Sequence, residues 1–146
     1  GMHGPMLAVL AAEMEIEGGG GAEIVPEALA LGNLMVALAA NRGFAYHSVG
    51  CLGVVELTAP DRARAVYEGL KRLGISPAGQ RYYLLHSTLD VQHSITWNRD
   101  ALRPLVQSKP EAARAIAEGA LMRLSGGARC FARYRRELGL AELPLQ

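Results

Sequence analysis

Alanine and leucine set the limits on what this chain can become. They fill most of its long stretches, they are the best helix formers, and β-branched residues are sparse and scattered between them. Half of the 146 residues are apolar but only 5% are aromatic, so the core must be built from aliphatic helix faces rather than from sheets. The length fits one domain, residues 1–146, able to bury a core without staples. The expected fold class is all-α, a bundle of about five to seven helices.

Proline and glycine divide this helical text. Pro5 opens a first helix over roughly 5–17, which the tetraglycine Gly18–Gly21 should end. Pro26 suits the first position of a second helix, roughly 26–41. Asn41-Arg42-Gly43 reads as a break or a kink, followed by a third helix over roughly 44–58 that stops at Thr58-Ala59-Pro60. The fourth runs from 60 to 73 with Gly74 as its stop, and the fifth from Gln80 to about Asn98. Pro104 and Pro110 bracket a short helix and a turn. A last helix reaches about Leu138, with a possible bend at Gly126-Gly127.

Charge and cysteine content narrow the function classes. A formal net charge of +1 gives no global attraction to nucleic acid or to a membrane surface. The basic residues near the C-terminus, Arg123, Arg129, Arg133, Arg135 and Arg136, alternate with apolar ones, as on the solvated face of an amphipathic helix. No apolar run reaches the ~18 residues of a membrane span. Cys51 and Cys130 lack CxxC spacing and read as free buried thiols, and no signal peptide is evident, which together suggest a reducing, cytoplasmic location. Gly1-Met2 reads as a tag remnant before a natural initiator methionine. Gly18–Gly21 follows a helix, not a strand, and has no lysine partner, so it is no phosphate loop.

The fifth helix carries the chemistry. Steps of four and three residues advance a helix by about 400° and 300°, which stacks His86, Asp90 and His93 within about 60° of one face. Two imidazoles and a carboxylate so placed can coordinate one divalent ion or share two, a ligand set suited to iron, manganese or zinc. The plainer alternative is a polar stripe, or core histidines satisfied by local hydrogen bonds. Against it, Tyr82, Tyr83, Leu84, Leu85, Leu89, Val91, Ile95 and Trp97 put apolar residues nearly all round this helix, and buried His and Asp need partners. Glu56 lies in the apolar run Gly50–Leu57, where a lone carboxylate is costly unless paired or coordinated; an exposed last turn would relieve it equally well. Glu13 and Glu17 share a face of the first helix and Glu15 does not, which a solvated acidic face explains. His47 lies nearly opposite Glu56 on an ideal helix and is left out of the site. His3 is expected to be disordered near the terminus.

These residues resemble a known family. Glu56-Leu57-Thr58-Ala59-Pro60, then Gly69-Leu70-x2-Leu73-Gly74, then Tyr82-Tyr83-x2-His86-x3-Asp90-x2-His93-x3-Trp97 look like the iron-containing redox enzymes, the haem-oxygenase-like diiron oxidases, over roughly residues 5–107. The resemblance implies a haem-oxygenase-like helical bundle and a ligand set of Glu17, Glu56, His86, Asp90 and His93. Glu17 enters only through the family pattern, because Glu13–Glu17 before the glycines is similar to the acidic segment that supplies a ligand there. Where the family has a histidine ten residues further on, this chain has Glu27. About one helix is missing before Pro26, and the early helix carrying the family's first Glu has no counterpart. The set falls short of the usual six ligands for two irons.

Three outcomes follow from that shortfall: one metal, a site completed by a second subunit, or a site that has lost its metal. The leading expectation is a non-haem iron oxidoreductase, with one or two iron ions, activating dioxygen on a small-molecule substrate. Its alternative is a degenerate, non-catalytic dimerisation or binding module of the same fold. A thiaminase II-like hydrolase would need Cys51 as nucleophile, and a haem-binding protein would need a proximal histidine that is not evident. A missing helix exposes an apolar groove, so a homodimer is expected, with Leu31, Leu34, Met35 and Leu38 in need of cover. Nucleic acid and membrane are not expected partners.

Overall fold

A computed structural model describes residues 3–16 and 24–140, and every regular element among them is helical. Glu17 and the tetraglycine lie outside the described residues. The elements are α1 (His3–Glu13), α2 (Pro26–Ala40), a 3₁₀ turn (Arg42–Phe44), α3 (Ala45–Arg72), α4 (Pro77–Thr96), a π-helical segment (Trp97–Leu102), α5 (Arg103–Ser108) and α6 (Ala112–Glu137). No single described helix is long and apolar enough to cross a membrane.

Local chemistry sets most of the ends. Pro26 opens α2, whose missing N–H costs nothing in a first turn. Beyond α2, the Asn41 side chain accepts a hydrogen bond from the Gly43 N–H at 2.9 Å, and the chain turns by 100° into α3. α3 stops in a Schellman motif: Gly74 adopts φ +74°, its N–H reaches the Lys71 carbonyl at 3.1 Å, and Ile75 reaches Leu70 at 3.1 Å. Gly139, at φ +61°, closes α6 in the same way.

Two boundaries differ from the sequence expectation. α1 ends at Glu13, before the glycines, because Glu15 takes a left-handed conformation at φ +53°. Ile16 then donates to the Ala11 carbonyl and Glu15 to Ala12, so the stop is a Schellman cap built on a non-glycine residue. Pro60 does not end a helix; it lies inside the single helix α3. Its ring leaves the Glu56 carbonyl, four residues back, without an intrahelical N–H, and burial of Val54, Ala63 and Leu70 on either side favours continuity. Gly126 and Gly127 likewise lie within α6 and are buried there. A Cβ on Gly126 would stand 3.0 Å from Leu31 Cδ1, so this glycine serves close packing of α6 on α2.

The described residues divide into two compact units, 3–16 with 55–103 and 24–54 with 104–140. In the first, α1 packs on α4, and Leu10, Ala63 and Leu70 are buried. Glu13 fastens the two helices: its carboxylate accepts from the Ser76 N–H at 2.9 Å and from the Ser76 hydroxyl, while Ser76 Oγ caps α4 by accepting from the Gly79 N–H. These bonds hold the Glu13 carboxyl below its usual range, the Ser76 hydroxyl contributing most. In the second unit α2 packs on α6, with Leu38, Cys51, Val54, Ala112, Ile116 and Cys130 buried. The start of α3 crosses α6 through two glycines, since a Cβ on Gly50 would fall 1.8 Å from the Ile116 carbonyl oxygen and one on Gly119 would fall 2.0 Å from that of His47.

Candidate metal centre

α4 and the α3 segment that precedes Pro60 place the ligand candidates in the first unit. Glu56, Asp90 and His93 each offer one donor atom, and the three atoms lie within 4.8 Å of one another. His93 Nδ1 stands 3.1 Å from Asp90 Oδ1 and 3.5 Å from Glu56 Oε2. Asp90 is buried, Glu56 is three-quarters buried, and 57% of the His93 side chain is exposed. The group therefore has a closed carboxylate side and an open imidazole side.

Two observations test whether these residues suit a cation. Glu56 Oε2 is buried and has no hydrogen-bond partner; at 3.5 Å its approach to His93 is electrostatic rather than a hydrogen bond. An unpaired buried carboxylate oxygen is costly, and a bound cation removes that cost. The spacing also fits. Donors about 2.1 Å from one ion stand about 3.0 Å apart at right angles and about 3.4 Å apart at the tetrahedral angle, close to the two separations observed. The residues fit a divalent ion.

His86 stands outside this three-residue group. Its Nδ1 is 2.7 Å from the Tyr82 carbonyl oxygen, and its ring lies beside those of Tyr82 and His3. Burial, then Tyr83 and Asp90, push the Tyr82 phenol up. His3 is thus not a disordered terminal residue but the first residue of α1. Nothing in its local sequence could place it, because its neighbours come from a helix some eighty residues away. Trp97, the last residue of the motif, opens the π-helical segment that follows α4, and its indole N–H has no hydrogen-bond partner. Single π-turns inside helices concentrate at functional sites.

His47 belongs elsewhere, in the second unit, where Nε2 contacts Glu118 Oε2 at 3.2 Å. Arg114 first, and His47 second, hold the Glu118 carboxyl below its usual range. Both cysteines are free and buried. Burial pushes the Cys51 thiol up, with Arg123 opposing, and a thiol raised in this way is a poor nucleophile at neutral pH.

Carboxylates and imidazoles converging from helices define a class, the helical metalloproteins that hold ions with oxygen and nitrogen donors. Within that class the assignment is direct: residues 1–128 match the model of the iron-containing redox enzymes, and the chain belongs to that family. Its all-helical structure is consistent with the haem-oxygenase-like fold. No curated protein and no solved structure matches the chain significantly.

Proposed function

We propose that the chain is a non-haem iron oxidoreductase that activates dioxygen on a small organic substrate, with Glu56, Asp90 and His93 as the core of its iron site. The observation that carries this reading is the buried Glu56 oxygen, without a hydrogen bond, facing Asp90 and His93 in a chain of the iron-containing redox enzyme family. Two carboxylates cancel the charge of a divalent ion, so the ion sits in a part-buried place without net charge. An iron(II) ion, if bound there, would supply electrons for the reduction of dioxygen.

The protein's own groups do the rest. Asp90 is fixed by burial and accepts from His93 Nδ1. To hold a cation through that nitrogen, neutral His93 would carry its one ring proton on Nε2 instead, exchanged through solvent on its exposed ring. The same exposed side admits dioxygen and substrate. Glu17, which the family pattern adds to the ligand set, is a further proposed donor. Leu31, Leu34, Met35 and Leu38, expected to need a partner's cover, are half-buried or buried with α2 packed on α6, so the homodimer is proposed instead on the exposed apolar residues of the first unit, Leu57, Leu84, Leu89 and Ile95 among them.

Oxygen uptake by protein loaded anaerobically with iron(II) tests the reading. Wild type should consume dioxygen faster than the same iron free in buffer, and Glu56→Gln and His93→Ala should each lower the rate about tenfold or more. Equal uptake by wild type and both variants would refute it.

A further inference from the structure

In the second unit, α6 carries two apolar seams. On one, Ala112, Ile116, Gly119, Gly126 and Cys130 are buried, spaced so that they stay on one side of the helix. The other lies two residues further on, about 200° round. There Ala117, Leu121, Leu124, Ala128, Phe131 and Leu138 recur at steps of four, three, four, three and seven. All six are exposed, the four large side chains among them by between 41% and 70%. The remaining seam position is Arg135, whose methylene stem can lie along an apolar stripe while its head stays in water. A helix that is apolar on two opposite sides has surface for a second neighbour.

Size and charge along the seam say what that neighbour is. Two copies of α6 laid antiparallel, with the two-fold axis level with Gly126, set Leu124 opposite the partner's Ala128 and Leu121 opposite the partner's Phe131. On one flank Tyr134, 42% exposed, falls opposite the partner's Ala120. Large side chains then meet small ones across the contact, as interdigitated helices require. On the other flank Glu118 and Arg136 both lie about 120° round from Leu124, and Glu118 comes within about 3 Å of the level of the partner's Arg136. Symmetry makes that opposite-charge pair twice, beside the bonds Glu118 keeps with Arg114 and His47. Parallel pairing does the reverse: it sets Phe131 on Phe131, leaves a gap between two Ala128, and crowds Arg129, Arg133, Arg135 and Arg136 of both copies together.

We infer that the outer seam of α6 docks on the same seam of a second copy of this chain, antiparallel, through Leu121, Leu124, Ala128 and Phe131. This contact is separate from the homodimer placed on the first unit and adds to it, and it is independent of the iron site. One helix from each copy makes a contact at the small end of the interface range, so it forms at roughly 100 µM rather than at nanomolar concentration.

Sedimentation equilibrium of the full chain from about 1 to about 200 µM tests it. Wild type should gain mass towards the top of that range. The double variant Leu124→Glu/Phe131→Glu, changed only at exposed positions, should keep the wild-type far-ultraviolet spectrum and lose the gain. Register is read by chemical crosslinking, which needs no loss of association. A mixture of Leu121→Cys chains with Phe131→Cys chains should join through a short bifunctional maleimide, and neither variant alone should do so as readily, because residue 121 faces residue 131 only across the antiparallel contact. An equal gain in mass by the glutamate variant would overturn the contact. So would a wild type that never gains mass, which would leave the seam to a helix of another protein. Crosslinking of either cysteine variant alone as readily as the mixture would overturn the antiparallel pairing.

Discussion

Gly119→Ala should reverse the usual sign of a glycine-to-alanine change in a helix. In a helix interior Ala is favoured over Gly by about 1 kcal/mol. At Gly32 in α2, where nothing lies within 4 Å of a new Cβ, that gain should appear in full. With a shift of about 2–4 °C per kcal/mol in a chain of this size, Gly32→Ala should raise the melting temperature by a few degrees. At Gly119 the new Cβ would lie 2.0 Å from the His47 carbonyl oxygen, where ordinary contact begins at 3.4 Å. The obstructing atom is main chain, so no rotamer change relieves it and α6 must move away from α3. Overpacking of this kind costs typically about 1–3 kcal/mol, occasionally more, and a backbone clash belongs at the upper end. Set against the propensity gain, the net loss is about 2 kcal/mol or more, a fall of roughly 4–8 °C. Thermal unfolding followed at 222 nm compares the variants directly. Equal stability of Gly119→Ala and Gly32→Ala would show that α3 and α6 do not cross as closely as described.

Glu15→Gly should stabilise the protein by about 1 kcal/mol by relieving the left-handed conformation of a side-chain-bearing residue; an unchanged or lowered urea midpoint would contradict it. Glu13 makes its fastening contribution only when ionised. Its folded-state value is depressed below 4.5, so the contribution is fully present above that pH and is lost as pH falls through the folded value. Amide exchange in α1 should therefore accelerate selectively at the acid end, and Glu13→Gln should abolish that selectivity; acid-insensitive exchange would argue against the clamp. The proposed dimer should sediment at micromolar concentration as a species of twice 15.6 kDa, and a single monomer boundary would rule it out.

The parts of this fold that were legible in the sequence are those governed by neighbours along the chain. Pro26, the Asn41–Gly43 break and Gly74 announce their boundaries through fixed φ, side-chain capping and positive φ, and the structure places them there. Pro60 misled because a proline ends a helix only where packing does not hold it together, and burial around it is tertiary information. The Glu15 cap was invisible because glutamate carries no preference for positive φ. The burial argument that singles out Glu56 and His86-x3-Asp90-x2-His93 holds for Asp90 and largely for Glu56, but Leu84, Leu89, Val91, Ile95 and His93 are exposed, so α4 is not buried all round. By contrast, the placing of His3 beside His86, and of Glu13 on Ser76, depends on how α1 docks along α4. His47 could be set apart from Glu56 by helix periodicity, but its pairing with Glu118 spans 71 residues.

The most direct test of the iron site is the metal content of the purified protein, by elemental analysis, after adventitious ions have been removed. Wild type should retain iron at one equivalent or more, and His93→Ala should lose most of it, since among the described residues His93 supplies the nitrogen donor grouped with Asp90 and Glu56. Equal metal in the two proteins would contradict the account and leave α4 carrying the relic of a site.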